Sequence, residues 1–174
     1  MGNNPETSMS AVDSADLHPT AQKLAEFAHG HGLELAIKQF TVSTRTAQDA
    51  ADAIGCELAQ IVKSLVFVVN GEPIMALVSG TNQLGQKKLA GLCEVGKKKV
   101  KRASADMVRE ATGFAIGGVP PFGHAQPLRL FIDQDFWQYD LIWAAAGTPN
   151  TVFPITPDDL KRITQGVVAD LRAV

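Results

Sequence analysis

The sequence predicts a single-domain α+β fold, and three observations lead there. Short apolar runs of strand length are interspersed with helix-type segments, without the regular strand–helix–strand repeat of a doubly wound sheet. Asn70-Gly71 separates two such runs, Ile61 to Val69 and Pro73 to Ser79, and Asn-Gly between apolar runs is the strongest short-range hairpin signal. The 174-residue length suits one domain, and 45% hydrophobic with 20% charged residues is a globular balance. The expected sheet is mixed and mostly antiparallel, or a partly closed barrel, with helices around it.

Residues 1–16 are rich in Asn, Ser, Asp and small side chains and are expected to form a disordered leader to a domain at 17–174. Pro19 suits a helix start, with Leu24, Ala25, Phe27 and Ala28 as the apolar face and Gly30 and Gly32 as the stop. Leu33, Leu35 and Ile37 alternate with polar or small residues and read as a strand. The hydroxyls of Ser43, Thr44 and Thr46 can cap a helix from Ala47 to Ile54, which Gly55 ends. The hairpin follows, its first strand apolar nearly throughout and so placed inside the sheet.

A helix is expected at Gln86 to Leu92 and another from Ser104 to Gly113. Leu128 to Ile132, Leu141 to Ala145 and Thr151 to Ile155 read as strands, with a turn or short helix at Asp133 to Gln138. Thr156-Pro157-Asp158 begins an amphipathic tail helix expected to end near Leu171.

Bulk properties exclude several classes. A net charge of −2 does not suit a general nucleic-acid coat. Cys56 and Cys93 form neither a C-x-x-C motif nor a disulfide framework. The apolar run Leu65 to Val69 is far too short to span a bilayer, and the N-terminus lacks a signal-peptide core. His18, His29, His31 and His124 show no metal spacing, so neither metal nor cofactor is expected. A cytoplasmic protein is the resulting expectation.

Two features stand out locally. Phe114 to His124 holds three glycines and two prolines in eleven residues, which rules out a helix interior or central strand and implies a rigid, shaped loop. Lys63 interrupts the apolar run of Ile61, Val62, Leu65 and Val66, where a buried ammonium is costly unless an anion or carbonyl meets it. In addition, Lys97, Lys98, Lys99, Lys101 and Arg102 put five positive charges in six residues. Residues 87–102 carry seven of the sixteen Lys and Arg residues and one acid, Glu94.

The ordered set of Gln60-Ile61-Val62-Lys63-Ser64-Leu65-Val66-Phe67, the Gly117-x-x-x-Pro121 loop and Ala145-Ala146-Gly147-Thr148-Pro149 resembles the YbaK/ProX family. These are free-standing relatives of the editing domain inserted in bacterial prolyl-tRNA synthetase, and the resemblance runs from about Leu33 to Leu171. It implies the YbaK editing-domain fold and a trans-acting aminoacyl-tRNA deacylase. Such an enzyme hydrolyses the ester of a tRNA mischarged with a small amino acid of the Ala, Cys, Ser or Thr class. The alternative is a non-catalytic tRNA- or nucleotide-binding module using the same pocket.

Carried onto this chain, the resemblance assigns catalysis to Lys63 and to main-chain amides at Gly117 and Gly118, which would hold the ester carbonyl as it gains negative charge. Thr44, Ser79, Pro121, His124, Gly147 and Thr148 are expected to bind substrate. Lys97, Lys98, Lys99, Lys101 and Arg102 are expected to meet the acceptor end of aminoacyl-tRNA, and a synthetase is a further candidate partner. Two positions depart from the family: Ala145 stands where many relatives have serine, and Gly85 where they often have an acidic residue, so neither role transfers.

Overall fold

The computed structural model describes residues 9–13, 16–42 and 44–174. Nine strands and five α-helices are present among them, the strands lying in two sheets. In chain order the elements are β1 (Met9–Ala11), α1 (Pro19–Gly30), β2 (Lys38–Phe40), α2 (Ala47–Ile54), β3 (Val62–Val69), β4 (Glu72–Ser79) and α3 (Gln86–Leu92). Then come β5 (Val100–Arg102), α4 (Ala105–Thr112), β6 (Arg129–Asp133), β7 (Ile142–Ala145), β8 (Thr151–Ile155), α5 (Pro157–Thr164) and β9 (Val167–Ala169).

The four-stranded sheet has the order β1-β2-β8-β7 and is antiparallel throughout. The five-stranded sheet has the order β5-β3-β4-β6-β9. Its β5-β3-β4 half is antiparallel, and β4-β6-β9 run parallel. The α+β class and the mostly antiparallel pairing agree with expectation; a closed barrel is not formed. The sheets instead approach at one point, a single parallel bridge between Ile61 and Trp143.

The hairpin is as tight as Asn-Gly demands. Val69 pairs with Glu72, leaving Asn70 and Gly71 as a two-residue loop at φ 51° and 85°. Both central residues of a type I′ turn need positive φ, which Asn and Gly tolerate. Helix α2 starts on a capping box in which Thr46 and Asp49 exchange side-chain-to-backbone bonds, and ends on left-handed Gly55. Two cores form on opposite faces of the five-stranded sheet. Val62, Val66, Met75, Leu77 and Ile132 face α1, the glycine–proline loop and the second sheet. Phe67, Ile74, Ala76, Val78 and Phe131 face α3.

Three expectations are corrected. The strand read at Leu33 to Ile37 begins later, at Lys38. Leu33 and Leu35 pack against the core as half-buried extended chain, whereas only Lys38–Phe40 find partners in β1 and β8. The tail helix stops at Thr164 rather than near Leu171. Gln165 turns left-handed, and Gly166 lies so close to Leu130 and Ile132 that a Cβ would fall 2.4 Å from Leu130 Cδ2, so the chain straightens into β9 beside β6. A disordered leader does not hold for Met9–Ala11, whose backbone pairs with β2; residues 1–8, 14 and 15 lie outside the described residues.

Candidate active site

The bridge between Ile61 and Trp143 leaves an opening along β3. In a hairpin closed by Val69 and Glu72, odd-numbered β3 residues bond to β4, and even-numbered ones present their backbone groups to the other edge. Strand β5 covers that edge from Phe67 to Val69, and the Ala103 N–H donates to the Val66 carbonyl. Between there and the bridge, the edge of β3 borders a cavity of about 310 Å³. Its walls include Lys63, Ser64 and Val66 of β3, Thr44 and Arg45 before α2, Arg102 of β5, Ile116 and Gly117 of the glycine–proline loop, and Trp143 and Thr148.

The loop is held stiffly. Left-handed Gly113 ends α4, and buried Phe114, Val119 and Phe122 anchor the segment in the core. Phe122 stacks against Phe27 of α1 and tilts against Phe153 of β8, at centroid separations of 5.8 and 5.6 Å. The buried Thr112 hydroxyl donates to the Val108 carbonyl at 2.7 Å and accepts from the Phe114 N–H. His124 Nε2 donates to the Pro120 carbonyl at 2.7 Å; since a carbonyl only accepts, the proton sits on Nε2. Burial holds the His124 pKa below its ordinary value, partly offset by that hydrogen bond.

Cavity and loop together sort the sequence-derived site residues. Lys63, Gly117, Thr44 and Thr148 share the cavity wall. Gly118 does not serve as a free donor: it is buried, and its N–H donates to the Ala115 carbonyl at 3.1 Å. Its lack of a side chain serves close approach, because a Cβ there would meet Thr148 Cα at 2.8 Å and the Gly147 carbonyl carbon at 2.9 Å. Gly117, exposed at φ 99°, is the glycine of the pair that borders the cavity.

Four further expectations are corrected. Ser79 is 1% exposed and bonds inward, its hydroxyl to the Ala59 carbonyl and its N–H to Asp133. Pro121 is buried in the loop base, and His124 fastens the loop rather than facing the cavity. Gly147 lies behind the wall, where Thr20 and Phe114 close over it.

Lys63 is half-buried, and its ammonium donates to the main-chain carbonyl of Asn82. Burial lowers its pKa from the ordinary 10.5; Asp133 opposes the shift and Arg102 adds to it. Lys97, Lys98, Lys99 and Lys101 are exposed along a 3-10 turn and β5, and Arg102 ends that strip at the cavity. Burial pushes the Cys56 thiol pKa up, so its thiolate is disfavoured.

Arg45, Ser64, Ile116 and Trp143 were not picked out as site residues from sequence. The Ser64 hydroxyl is buried with no hydrogen-bond partner among the described residues, and Ile116 is 61% exposed beside the cavity. Arg45 and Trp143 stand next to helix and strand signals that mask any other role, whereas Ser64, adjoining Lys63 in the central strand, was the readable one.

Residues 41–163 match the aminoacyl-tRNA editing domain. The chain is 29% identical over 127 residues to EbsC of Enterococcus faecalis, a protein named as a proposed Cys-tRNA(Pro)/Cys-tRNA(Cys) deacylase, covering 72% of this chain and 76% of EbsC. It is 35% identical over 102 residues to a proline–tRNA ligase of Maridesulfovibrio salexigens, covering 59% of this chain and 16% of the ligase. A crystal structure described as a proposed trans-editing enzyme for prolyl tRNA synthetase superposes with a TM-score of 0.86 at 42% identity, covering 91% of this chain and all of that one. The chain therefore belongs to the aminoacyl-tRNA editing domain family, a family of aminoacyl-tRNA deacylases.

Proposed function

We propose that this protein hydrolyses, in trans, the ester of a tRNA mischarged with a small amino acid of the Ala, Cys, Ser or Thr class. The observation that carries the reading is the shared cavity: Lys63 and Gly117 stand in one wall system, and Arg102 leads from it to the exposed lysines. Water attacks the ester carbonyl carbon, the bond to the ribose oxygen breaks, and that oxygen takes a proton, releasing amino acid and tRNA. Negative charge on the carbonyl oxygen is met by the Lys63 ammonium and by main-chain donors along the cavity, the interaction that lowers such a barrier most.

Size favours a small side chain. A volume of about 310 Å³ is at the low end for ligand sites, roughly 300–1,000 Å³. Thr44 and Thr148 would contact the aminoacyl end, while Lys97, Lys98, Lys99, Lys101 and Arg102 would take phosphates of the acceptor stem. Editing is useful because synthetases separate small apolar side chains poorly. The named relatives point to a prolyl-tRNA synthetase as the enzyme whose errors are cleared. Charging takes place in the cytoplasm, and we place the protein there; among the described residues no helix is long and apolar enough to cross a membrane.

The test is a panel of tRNAs charged with Ala, Cys, Ser, Thr and Pro, incubated with wild type and Lys63→Ala. Selective release of one small amino acid by wild type supports the reading. tRNA binding without release from any member of the panel would favour a non-catalytic binding module instead.

A further inference from the structure

The Lys63 ammonium sits in a corner built by other residues. A lysine ammonium has three N–H donors. One goes to the Asn82 carbonyl, and among the described residues Nζ has no other hydrogen-bond or ion-pair partner. Two donors are therefore without a partner among the described residues. Asn82, 6% exposed, is pinned at three points. Its N–H donates to the Ser79 carbonyl at 2.9 Å, and its side-chain Nδ2 donates to Asp133 Oδ2 at 2.9 Å and Asp135 Oδ2 at 2.7 Å. Asp133, 1% exposed, accepts from Asn82, from the Ser79 N–H at 3.0 Å and, through Oδ1, from the Asp135 N–H at 3.0 Å.

We propose that Asn82 and Asp133 are positioning residues for the reaction, a bracket that aims the Lys63 ammonium while leaving two of its donors free for substrate. This rests on the deacylase reading above. A carboxylate in direct contact with Lys63 would neutralise it and occupy its donors. Asp133 instead spends its oxygens on neutral N–H groups and acts on Lys63 through the Asn82 peptide. A buried carboxylate with both oxygens engaged is firmly located, so the carbonyl that receives Lys63 is firmly located too.

The charges that act on Lys63 are Asp133 and, from β5, Arg102; Asp135 holds the same Asn82 amide, and Arg45 lines the same cavity as Lys63. Asp133 raises the Lys63 pKa against burial and Arg102. Removing the Asp133 charge therefore sends the Lys63 titration to lower pH.

The experiment follows the Lys63 Cε and Nζ resonances by NMR through an alkaline titration of the full chain, with Lys63→Ala giving the assignment. It compares wild type, Asp133→Asn and Asn82→Ala, each checked for folding by circular dichroism. Lys63 is expected to titrate at lower pH in Asp133→Asn, which loses the charge that raises it, whereas Asn82→Ala keeps both that charge and the main-chain carbonyl and is read through kcat. The kcat for a mischarged tRNA should fall by roughly tenfold to a hundredfold, as misplacement of a catalytic group by about 1 Å does, with KM little changed. The alkaline limb of the kcat profile should move to lower pH with the resonance. If Asp133→Asn does not fold, Asn82→Ala tests the bracket through kcat, and a kcat equal to wild type overturns it. A Lys63 titration unmoved in folded Asp133→Asn overturns the bracket. Absence of deacylation by wild type would overturn the deacylase reading alone, because the NMR titration needs no turnover.

Discussion

Gly118 and His124 help to hold the glycine–proline loop in place, and each role is testable on one side chain. At Gly118 the obstacle to a methyl group is main chain, Thr148 Cα and the Gly147 carbonyl carbon, which cannot swing aside as a flexible side-chain end can. Gly118→Ala should cost about 1–3 kcal/mol of stability, the usual penalty for overpacking, measured by denaturant unfolding. At His124, burial holds the ring pKa below 6.5, so folding favours the neutral ring. The stability this confers is complete above about pH 6.5 and is lost as pH falls toward the lowered value. Glutamine keeps an N–H for the Pro120 carbonyl but does not titrate. The fall in melting temperature from pH 7 to pH 5 should therefore be smaller in His124→Gln than in wild type. An equal fall in both would remove His124 from the account.

The lysine strip and the glycine–proline loop are separate elements, and on the proposed reading their contributions divide between binding and rate. Lys98 and Lys99 sit on an exposed 3-10 turn, with β5 carrying the charge on to Arg102. Replacing both with glutamate should raise KM for tRNA and flatten its dependence on salt, because each lost phosphate contact removes about 0.7–0.9 from the log–log slope. The kcat should hold. Unchanged KM and slope would exclude the strip from the interface. At this scale the sequence was widely legible. Thr46, Asn70-Gly71, Ser104 and Thr156-Pro157 announce local backbone chemistry and mark their elements correctly. Leu33-Glu34-Leu35 misled because alternation signals a buried face, and whether a partner strand lies alongside is decided elsewhere in the chain. Strand β9 was hidden for the same reason: Val167–Ala169 is extended because β6 offers an edge, not because three residues demand it.

Across the whole molecule, the cavity exists because two sheets meet at one bridge and part beyond it, exposing the edge of β3 beside a stiff loop. That arrangement explains which residues bordering the cavity could be read in advance. Lys63 was legible because a charge inside an apolar run is conspicuous, and Gly117 because the loop composition is. Asn82 and Asp133 were not, since they join Lys63 only after β4 and β6 pair in parallel across more than fifty residues. Ser79 and His124 were misassigned because a buried hydroxyl or imidazole bonded inward has the same sequence appearance as one facing substrate. The central claim is that one ammonium in this cavity stabilises charge on an ester carbonyl. Its most direct measurement is single-turnover release of amino acid from the mischarged-tRNA panel by wild type and Lys63→Ala. The account predicts a rate lower by roughly 10²–10³-fold in the variant, with fold and tRNA affinity retained. Equal rates in the two proteins would contradict it.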